Sequence, residues 1–279
     1  GQACALLRLA RMRVRFDRGT LVLEAELGIA GARDPSQIPG AAWDAQGRAW
    51  RVPAEQYREL RVQLPDEQIR IPDTPSEKPR EGTWQLPALR WYQTTALARW
   101  RTAGRRGVIA LPTGSGKTVV ALGAIAELGV PTLIVVPTRV LLDQWATALE
   151  RVWSGPIGRI GDGDYQVEPI TVCTYSSAVI WATRIGDRFG LVIVDEAHHV
   201  GAWCPGEVLE MLVAPARLGL TATPPPPGGE LGARIGAVLY SLEVDDLKGD
   251  ALADYELESV PVALAKLERE RYRTQRSRF

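Results

Sequence analysis

"GVIALPTGSGKTVVALGAIAEL", residues 107–128, sets a short apolar run, a glycine turn and a helix-prone segment end to end. The order predicts strand, loop, helix. Gly114 and Gly116, with Ser115 between them, let the backbone curl until successive N–H groups face inward, and a helix opening near Lys117 adds its positive N-terminal end. Such a turn is built to cradle phosphate oxygens. On this reading Lys117 reaches the β- and γ-phosphates of ATP, and the Thr118 hydroxyl is a ligand for Mg²⁺. The strict G-x-x-x-x-G-K-[ST] pattern fails at its first position, where Leu111 stands. The G-x-G-K-T that is left, in a strand-to-helix setting, still weighs heavily against an idle glycine turn.

A phosphate loop needs an acid to hold its metal, and "LVIVDEAHHV" (191–200) offers one. "LVIV" predicts a buried strand, which puts Asp195 and Glu196 at its C-terminal end, the rim where ligands collect in parallel α/β sheets. There Asp195 holds Mg²⁺ through water, and Glu196 orients and deprotonates an attacking water. Two solvated acids at a strand end are the plainer alternative. The same stretch carries the only two histidines of the chain, His198 and His199.

Around these stretches the texture is uniform from residue 84 onward. "TLIVV" and "ITVCT" are further short runs rich in β-branched residues, with amphipathic segments such as "RVLLDQWATALERV" between them. Strands buried on both faces and joined by crossover helices make an α/β domain with a parallel sheet. Before it, residues 10–64 read as short strands and turns. "TLVLEAEL" alternates apolar and polar, "AWDAQGRAWRV" turns at Gln46-Gly47, and "PAEQYRELRVQL" opens a helix at proline. Residues 65–83 are rich in proline and charge, which marks a linker.

Composition permits a nucleic-acid partner without demanding one. The 279 residues carry 33 basic and 33 acidic side chains, so no bulk field attracts a polyanion. Residues 1–110 nevertheless hold 18 basic against 12 acidic, and residues 111–265 hold 9 against 19. A solvated arginine-rich face explains that asymmetry as well as a DNA contact does. Cys4, Cys173 and Cys204 form neither a paired framework nor a zinc spacing, which fits a reducing, cytoplasmic setting. No apolar run approaches the roughly 18 residues of a membrane helix, so no membrane partner is expected.

With "LPTGSGKT" and "DEAH" (195–198) together, the sequence resembles the superfamily 2 helicases and nucleic-acid translocases. "LRWYQ" (89–93) looks like that family's adenine-reading element, which assigns Gln93 and its companion Arg90 to the base. "VVPTRVLLDQW" (135–145) and "TVCTYSS" (171–177) are similar to its nucleic-acid-contacting motifs, and "LGLTAT" (218–223) to the motif that couples hydrolysis to strand movement. The resemblance puts His198 in a seam between the nucleotide site and Thr221 or Thr223, as a transmission part. It gives His199 no role.

Within the superfamily the XPB family of helicases is the nearest likeness, in its compact prokaryotic form. "RFDRGTLVLEAEL" and "WDAQGRAWRVPAEQYREL" resemble the small N-terminal domain implicated there in recognising damaged DNA. The expected architecture is a small α+β N-terminal domain (1–64), a linker (65–83), a first RecA-like P-loop motor domain with a parallel sheet (84–254), and a connecting segment (255–279) toward a second motor domain. No motif of that second domain occurs in these residues. The Arg-Glu-Asp triplet usual in XPB proteins after "TAT" is replaced by "PPPPGGELG" (224–232), which predicts a stiff extended segment.

The resemblance implies ATP and Mg²⁺ as cofactors and duplex or forked DNA as partner, with a nuclease or repair factor as a further one. Thr138 and Arg139, then Thr174, Tyr175 and Ser176, stand at two strand ends where hydroxyls, amides and charge suit phosphate oxygens. Ordinary turn or cap roles are the competing reading for each. Arg11, Arg13 and Arg15 alternate, so they line one face of a strand, against a duplex or as a charged edge. An RNA helicase, a restriction-type duplex translocase, and a DNA-binding scaffold with nucleotide as mere ligand are the rival functions.

Overall fold

The computed structural model describes residues 12–25, 35–63, 82–201, 206–224, 226, 228–249 and 265–276. Two sheets organise it. The first is antiparallel and is built from β1 (Met12–Asp17), β2 (Thr20–Ala25), β3 (Ala42–Asp44) and β4 (Ala49–Pro53), in the order β1-β2-β4-β3. Arg18 and Gly19 both take positive φ, 50° and 83°, between the paired residues Asp17 and Thr20, the geometry of a two-residue hairpin. The hairpin expected at Gln46-Gly47 is present. Asp44 Oδ1 accepts from both of their amides at 3.0 Å. A single turn (54–56) then leads into α1 (Tyr57–Gln63).

The second sheet has eight strands. After α2 (Trp91–Thr102) come β5 (Arg106–Ala110), α3 (Lys117–Leu128), β6 (Thr132–Val136), α4 (Arg139–Glu150), β7 (Ile157–Gly161), β8 (Asp164–Gln166), β9 (Ile170–Thr174), α5 (Tyr175–Ile185) and β10 (Leu191–Val194). Then follow α6 (Gly206–Glu210), β11 (Ala216–Thr221), α7 (Gly229–Arg234), β12 (Val238–Ser241) and α8 (Lys266–Arg276). The spatial order is β12-β5-β11-β10-β6-β9-β7-β8, parallel throughout except for the β7–β8 hairpin. Every residue of β6, β9, β10 and β11 is buried, because helices cover both faces.

Tyr92, Trp100, Ile125 and Leu149, from α2, α3 and α4, pack on one face. Ala178, Ile185, Leu209 and Ile235 pack on the other. This is a doubly wound, RecA-like domain. Two features differ from the sequence-based expectation. The chain makes an edge hairpin, β7–β8, that its periodicity did not announce, and "GGELG" enters the short helix α7 instead of extending the proline run. Residues 255–264 of the expected connecting segment, and Arg11, Cys4 and Cys204, lie outside the described residues.

The antiparallel sheet is seated on the parallel one. Its core of Val14, Leu21, Val52 and Tyr57 takes in Val213 from the turn before β11. Beside it Glu55 accepts from Arg234 of α7 and lies 3.6 Å from Nη1 of Arg217, whose side chain is wholly buried. No helix among the described residues is long and apolar enough to cross a membrane.

Candidate functional site

Three loops leave the same rim of the parallel sheet. β11 lies between β5 and β10, with Ala110 opposite Thr221 and Val194 opposite Gly219. The phosphate loop follows β5, the acidic pair follows β10, and the "TAT" stretch ends β11 between them. Neighbouring strands lie about 4.8 Å apart, so loops on strands two apart start within about 10 Å of each other. The sequence-assigned residues are therefore brought together by topology.

The loop has the backbone its glycines allow. Gly114 and Gly116 sit at φ 82° and 83°, and Gly116 caps α3. A β-carbon on Gly116 would come within 2.6 Å of Gln93 Nε2. Ser115 is buried, its hydroxyl donating to the Pro112 carbonyl at 2.7 Å. Lys117 folds over the loop and donates to the carbonyls of Leu111 (3.2 Å) and Pro112 (3.4 Å). Thr118 is the second residue of α3, on the same turn as Lys117.

"LRWYQ" holds this loop from behind. Gln93 accepts from the Arg90 amide at 2.9 Å and donates to the Ser115 carbonyl at 3.0 Å. Tyr92, which no sequence motif singles out, donates to the same carbonyl at 2.6 Å. Gln93 is buried, so its amide is committed to the loop, while Arg90 is exposed at the mouth.

The acidic pair is equally anchored. Asp195, 7% exposed, accepts from the indole Nε1 of Trp145 at 2.7 Å through Oδ2 and from the Glu196 amide at 3.0 Å through Oδ1. Glu196 is held at φ 48°, a left-handed conformation rare outside glycine and costing about 1–3 kcal/mol. His198 Nδ1 lies 2.9 Å from the Thr221 hydroxyl and 3.5 Å from Glu196 Oε2. The Thr221 hydroxyl donates to the Thr223 carbonyl at 2.9 Å and accepts from the Thr223 amide at 3.0 Å. His199 packs against His198 with the rings tilted by 44° and 4.0 Å between centroids, and partial burial, then the neighbouring His198, lower its pKa.

The expected DNA rim divides. Thr138 and Thr174 cap α4 and α5, accepting from the amides of Leu141 (3.3 Å) and Ser177 (3.2 Å). Arg139 is exposed and ion-paired with Asp162 at the tip of the β7–β8 hairpin. Ser176 is exposed beside Thr174, their hydroxyls 3.2 Å apart. Tyr175, expected on the rim, is instead 2% exposed. Its hydroxyl donates to the Asp195 carbonyl and, at 3.3 Å, to that of Glu196. The ring is long enough to reach through the core, so it supports the acidic turn and offers nothing to a strand outside. Arg15 is paired with Glu24 at 3.3 Å and so is partly neutralised.

Thr118 on the first turn of α3 and Asp195 at the end of β10 bring a hydroxyl and a carboxylate to this rim. That set fits Mg²⁺, which keeps several waters and takes its other ligands from phosphates. No group of three or more His, Cys, Asp or Glu that would form an all-protein metal site occurs among the described residues.

Residues 86–226 match the family model described as "Type III restriction enzyme, res subunit", and residues 14–74 match "Xeroderma pigmentosum group B helicase damage recognition domain". The chain is 34% identical over 238 residues to the DNA 3'-5' translocase XPB2 of Sulfurisphaera tokodaii, covering 84% of this chain and 54% of the relative. It is 36% identical over 234 residues to the putative DNA 3'-5' helicase Rad25 of Halobacterium salinarum, covering 78% and 38%. Against the DNA 3'-5' helicase XPB of Mycobacterium tuberculosis the identity is 33% over 216 residues, covering 70% and 36%. The chain thus spans about half, or less, of the length of these relatives.

Proposed function

Because this chain belongs to the helicase family of the type III restriction enzyme res subunit, in its XPB-type form, we propose that it is the nucleotide-hydrolysing portion of an ATP-dependent DNA helicase or translocase acting in repair. The observation that supports this most directly is the adjacency of three motif-bearing strands, with the loop of Lys117, the pair Asp195–Glu196 and the bonded His198–Thr221 on one rim. A scaffold that merely holds nucleotide has no use for the third.

The roles follow from position. The amides of residues 114–118 and the Lys117 ammonium bind triphosphate oxygens, the lysine exchanging two loop carbonyls for ligand. Thr118 and Asp195 hold Mg²⁺, which supplies charge neutralisation on the phosphates when bound. Glu196 orients the attacking water and takes its proton, and Arg90 together with Gln93 borders the base. His198, Thr221 and Thr223 pass the state of that site along β11. Thr138, Arg139, Thr174 and Ser176 position DNA phosphates without reading sequence, Arg139 exchanging Asp162 for phosphate. We assign residues 1–64 to a DNA-recognition module, 65–83 to a linker, 84–254 to the motor domain and 255–279 to a connection. The 279 residues by themselves turn over slowly, since an arginine finger from a second motor domain contributes about 10³–10⁵ in rate in related phosphoryl transfer.

The test is an ATPase titration with duplex DNA, single strands and RNA, on the full-length protein and on these 279 residues. Lys117→Ala is expected to lose nucleotide binding, and Glu196→Gln to keep binding and lose turnover. Vigorous DNA-stimulated turnover by the 279 residues alone, or full activity of Glu196→Gln, overturns the reading.

A further inference from the structure

The left-handed backbone of Glu196, at φ 48°, is held by groups on three strands. The Asp195 amide donates to the Val135 carbonyl at 2.9 Å, and the Glu196 amide to the Asp195 carboxylate at 3.0 Å. On the acceptor side, the Glu196 carbonyl receives the His199 amide at 3.0 Å. The Tyr175 hydroxyl, from α5, shares its proton between the carbonyls of Asp195 and Glu196, the second at 3.3 Å. Those two carbonyls belong to the peptide planes on either side of the Glu196 α-carbon. Holding both planes holds φ and ψ between them, and with them the direction in which the carboxylate leaves the chain. A sparsely populated conformation of this kind persists only where its surroundings over-determine it.

Tyr175 reaches the acidic turn from the rim assigned to DNA. The ends of β9 and β10 are separated by β6, two strand spacings or about 10 Å, and the phenol bridges toward the far one. Tyr175 is the first residue of α5, directly between Thr174 and Ser176. Its ring is 2% exposed and packs in the same core as Val194 and Ala197, which flank the acidic pair. With two side-chain torsions and close packing, the ring moves with the helical turn that carries it. At that turn the Thr174 hydroxyl accepts from the Ser177 amide at 3.2 Å, and lies 2.8 Å from the Ser177 hydroxyl and 3.2 Å from that of Ser176. One turn of helix thus carries a cluster of hydroxyls and, among them, the donor that holds Glu196.

We propose that Tyr175 is the positioning residue through which DNA bound at the start of α5 sets Glu196 for hydrolysis. The inference rests on the helicase reading and deepens it, by naming a route from a DNA phosphate to the attacking water. A phosphate on the first turn of α5 competes with the Thr174 hydroxyl for the Ser177 amide and draws the turn toward itself. The ring passes that shift to the carbonyls of Asp195 and Glu196, and the Glu196 carboxylate follows. Small displacements suffice, since a misplacement of about 1 Å costs about 10²-fold in rate. Tyr175 itself touches neither nucleotide nor DNA.

Tyr175→Phe, made in the full-length protein, deletes the hydroxyl and keeps the buried ring. ATPase is measured against ATP and against duplex DNA concentration. The DNA-saturated kcat is expected to fall about tenfold to a hundredfold and the DNA-free rate by less. KM for ATP and the half-stimulating DNA concentration are expected to stay within about twofold of the parent. A merely structural tyrosine does not produce that split. Amide hydrogen exchange over residues 195–199, without nucleotide, is the second arm. DNA is expected to slow exchange there in the parent and to leave it unchanged in Tyr175→Phe, which still binds DNA. Equal DNA stimulation in variant and parent, or equal DNA-induced protection in both, overturns the link while the helicase reading stands. A full-length parent that DNA does not stimulate overturns that reading, and the link with it.

Discussion

Trp145 shows what a single residue does for this site. Its indole N–H, presented from the buried face of α4, is the one side-chain donor to the Asp195 carboxylate among the described hydrogen bonds, at 2.7 Å. A partner of that kind fixes a metal-holding carboxylate, and removing one typically lowers metal affinity about 10–100-fold. Trp145→Phe keeps most of the apolar packing and deletes the donor. The expected outcome is a raised Mg²⁺ requirement for turnover, read as a rightward shift in the Mg²⁺ dependence with little change in saturating rate. A buried oxygen left short of its partner also destabilises by about 1–3 kcal/mol, which urea unfolding measures. An unshifted Mg²⁺ curve refutes the link. At this scale the glycines, Lys117 and the acidic pair were legible in the sequence, because loop chemistry leaves a spacing. Tyr92, Trp145 and the true place of Tyr175 were not. They act through tertiary hydrogen bonds, and an aromatic in an amphipathic pattern reads equally well as core.

At the scale of elements, β11 has attachments at both ends. Thr221 at its C-terminal end bonds His198, and its hydroxyl also receives the Thr223 amide. Thr221→Val is nearly isosteric and leaves both groups without that partner, so nucleotide affinity is expected to persist while DNA stimulation of ATPase falls. Equal stimulation in the variant and its parent counts against a transmission role. The antiparallel sheet depends on a different contact. Arg51 on β4 donates to Asp17 and Asp44 at 2.8 Å each and to Thr20 at 2.9 Å, tying β4 to the other three strands of the sheet. The bond from Arg51 holds the Asp17 carboxyl below its ordinary value, and the Gly47 amide, then Arg51, does so for Asp44. A depressed carboxylate pKa gives stability that is fully present above the ordinary carboxylate value and is lost as pH falls from there through the lowered one. Arg51→Met should therefore lower the melting temperature at neutral pH and leave acid unfolding less steep; a parallel shift at every pH argues against the ion pairs. Helices and parallel strands were readable here from period and β-branching. The β7–β8 hairpin was not, because its outer strand is three residues long, fully exposed and without alternation.

Across the whole molecule, the two sheets meet through a charge cluster that no local pattern advertises. Arg217, the second residue of β11, is wholly buried, yet its guanidinium donates to four backbone carbonyls, those of Leu209, Leu212, Ala214 and Arg234, at 2.8–3.3 Å. Carbonyls satisfy its hydrogens but carry no net charge, and burial pulls its pKa down from the ordinary value. Glu55, the acid that faces it from the antiparallel sheet's module, stands 3.6 Å away and also pairs with Arg234, which Glu210 holds from the other side. Sequence alone presents Glu55 as one more charge at a helix start and Arg217 as a polar interruption in a strand. Their meaning is set by how the two sheets dock. Breaking a buried pair by deleting one partner costs about 3–5 kcal/mol, because the remaining charge keeps its desolvation penalty. Glu55→Gln preserves shape and removes the charge, so chemical unfolding should show a loss approaching that range. Val62→Thr, on an 84%-exposed side chain of the neighbouring helix, serves as the control and should stay within about 0.5 kcal/mol. Arg217→Met alone should cost more still, since four backbone carbonyls lose their donor, and on that background Glu55→Gln should cost less than it does in the parent, since the charge that Glu55 balances is already gone. If Glu55→Gln costs the same in both backgrounds, the pair is not what joins the modules, and the shared apolar contact at Val213 must carry the docking.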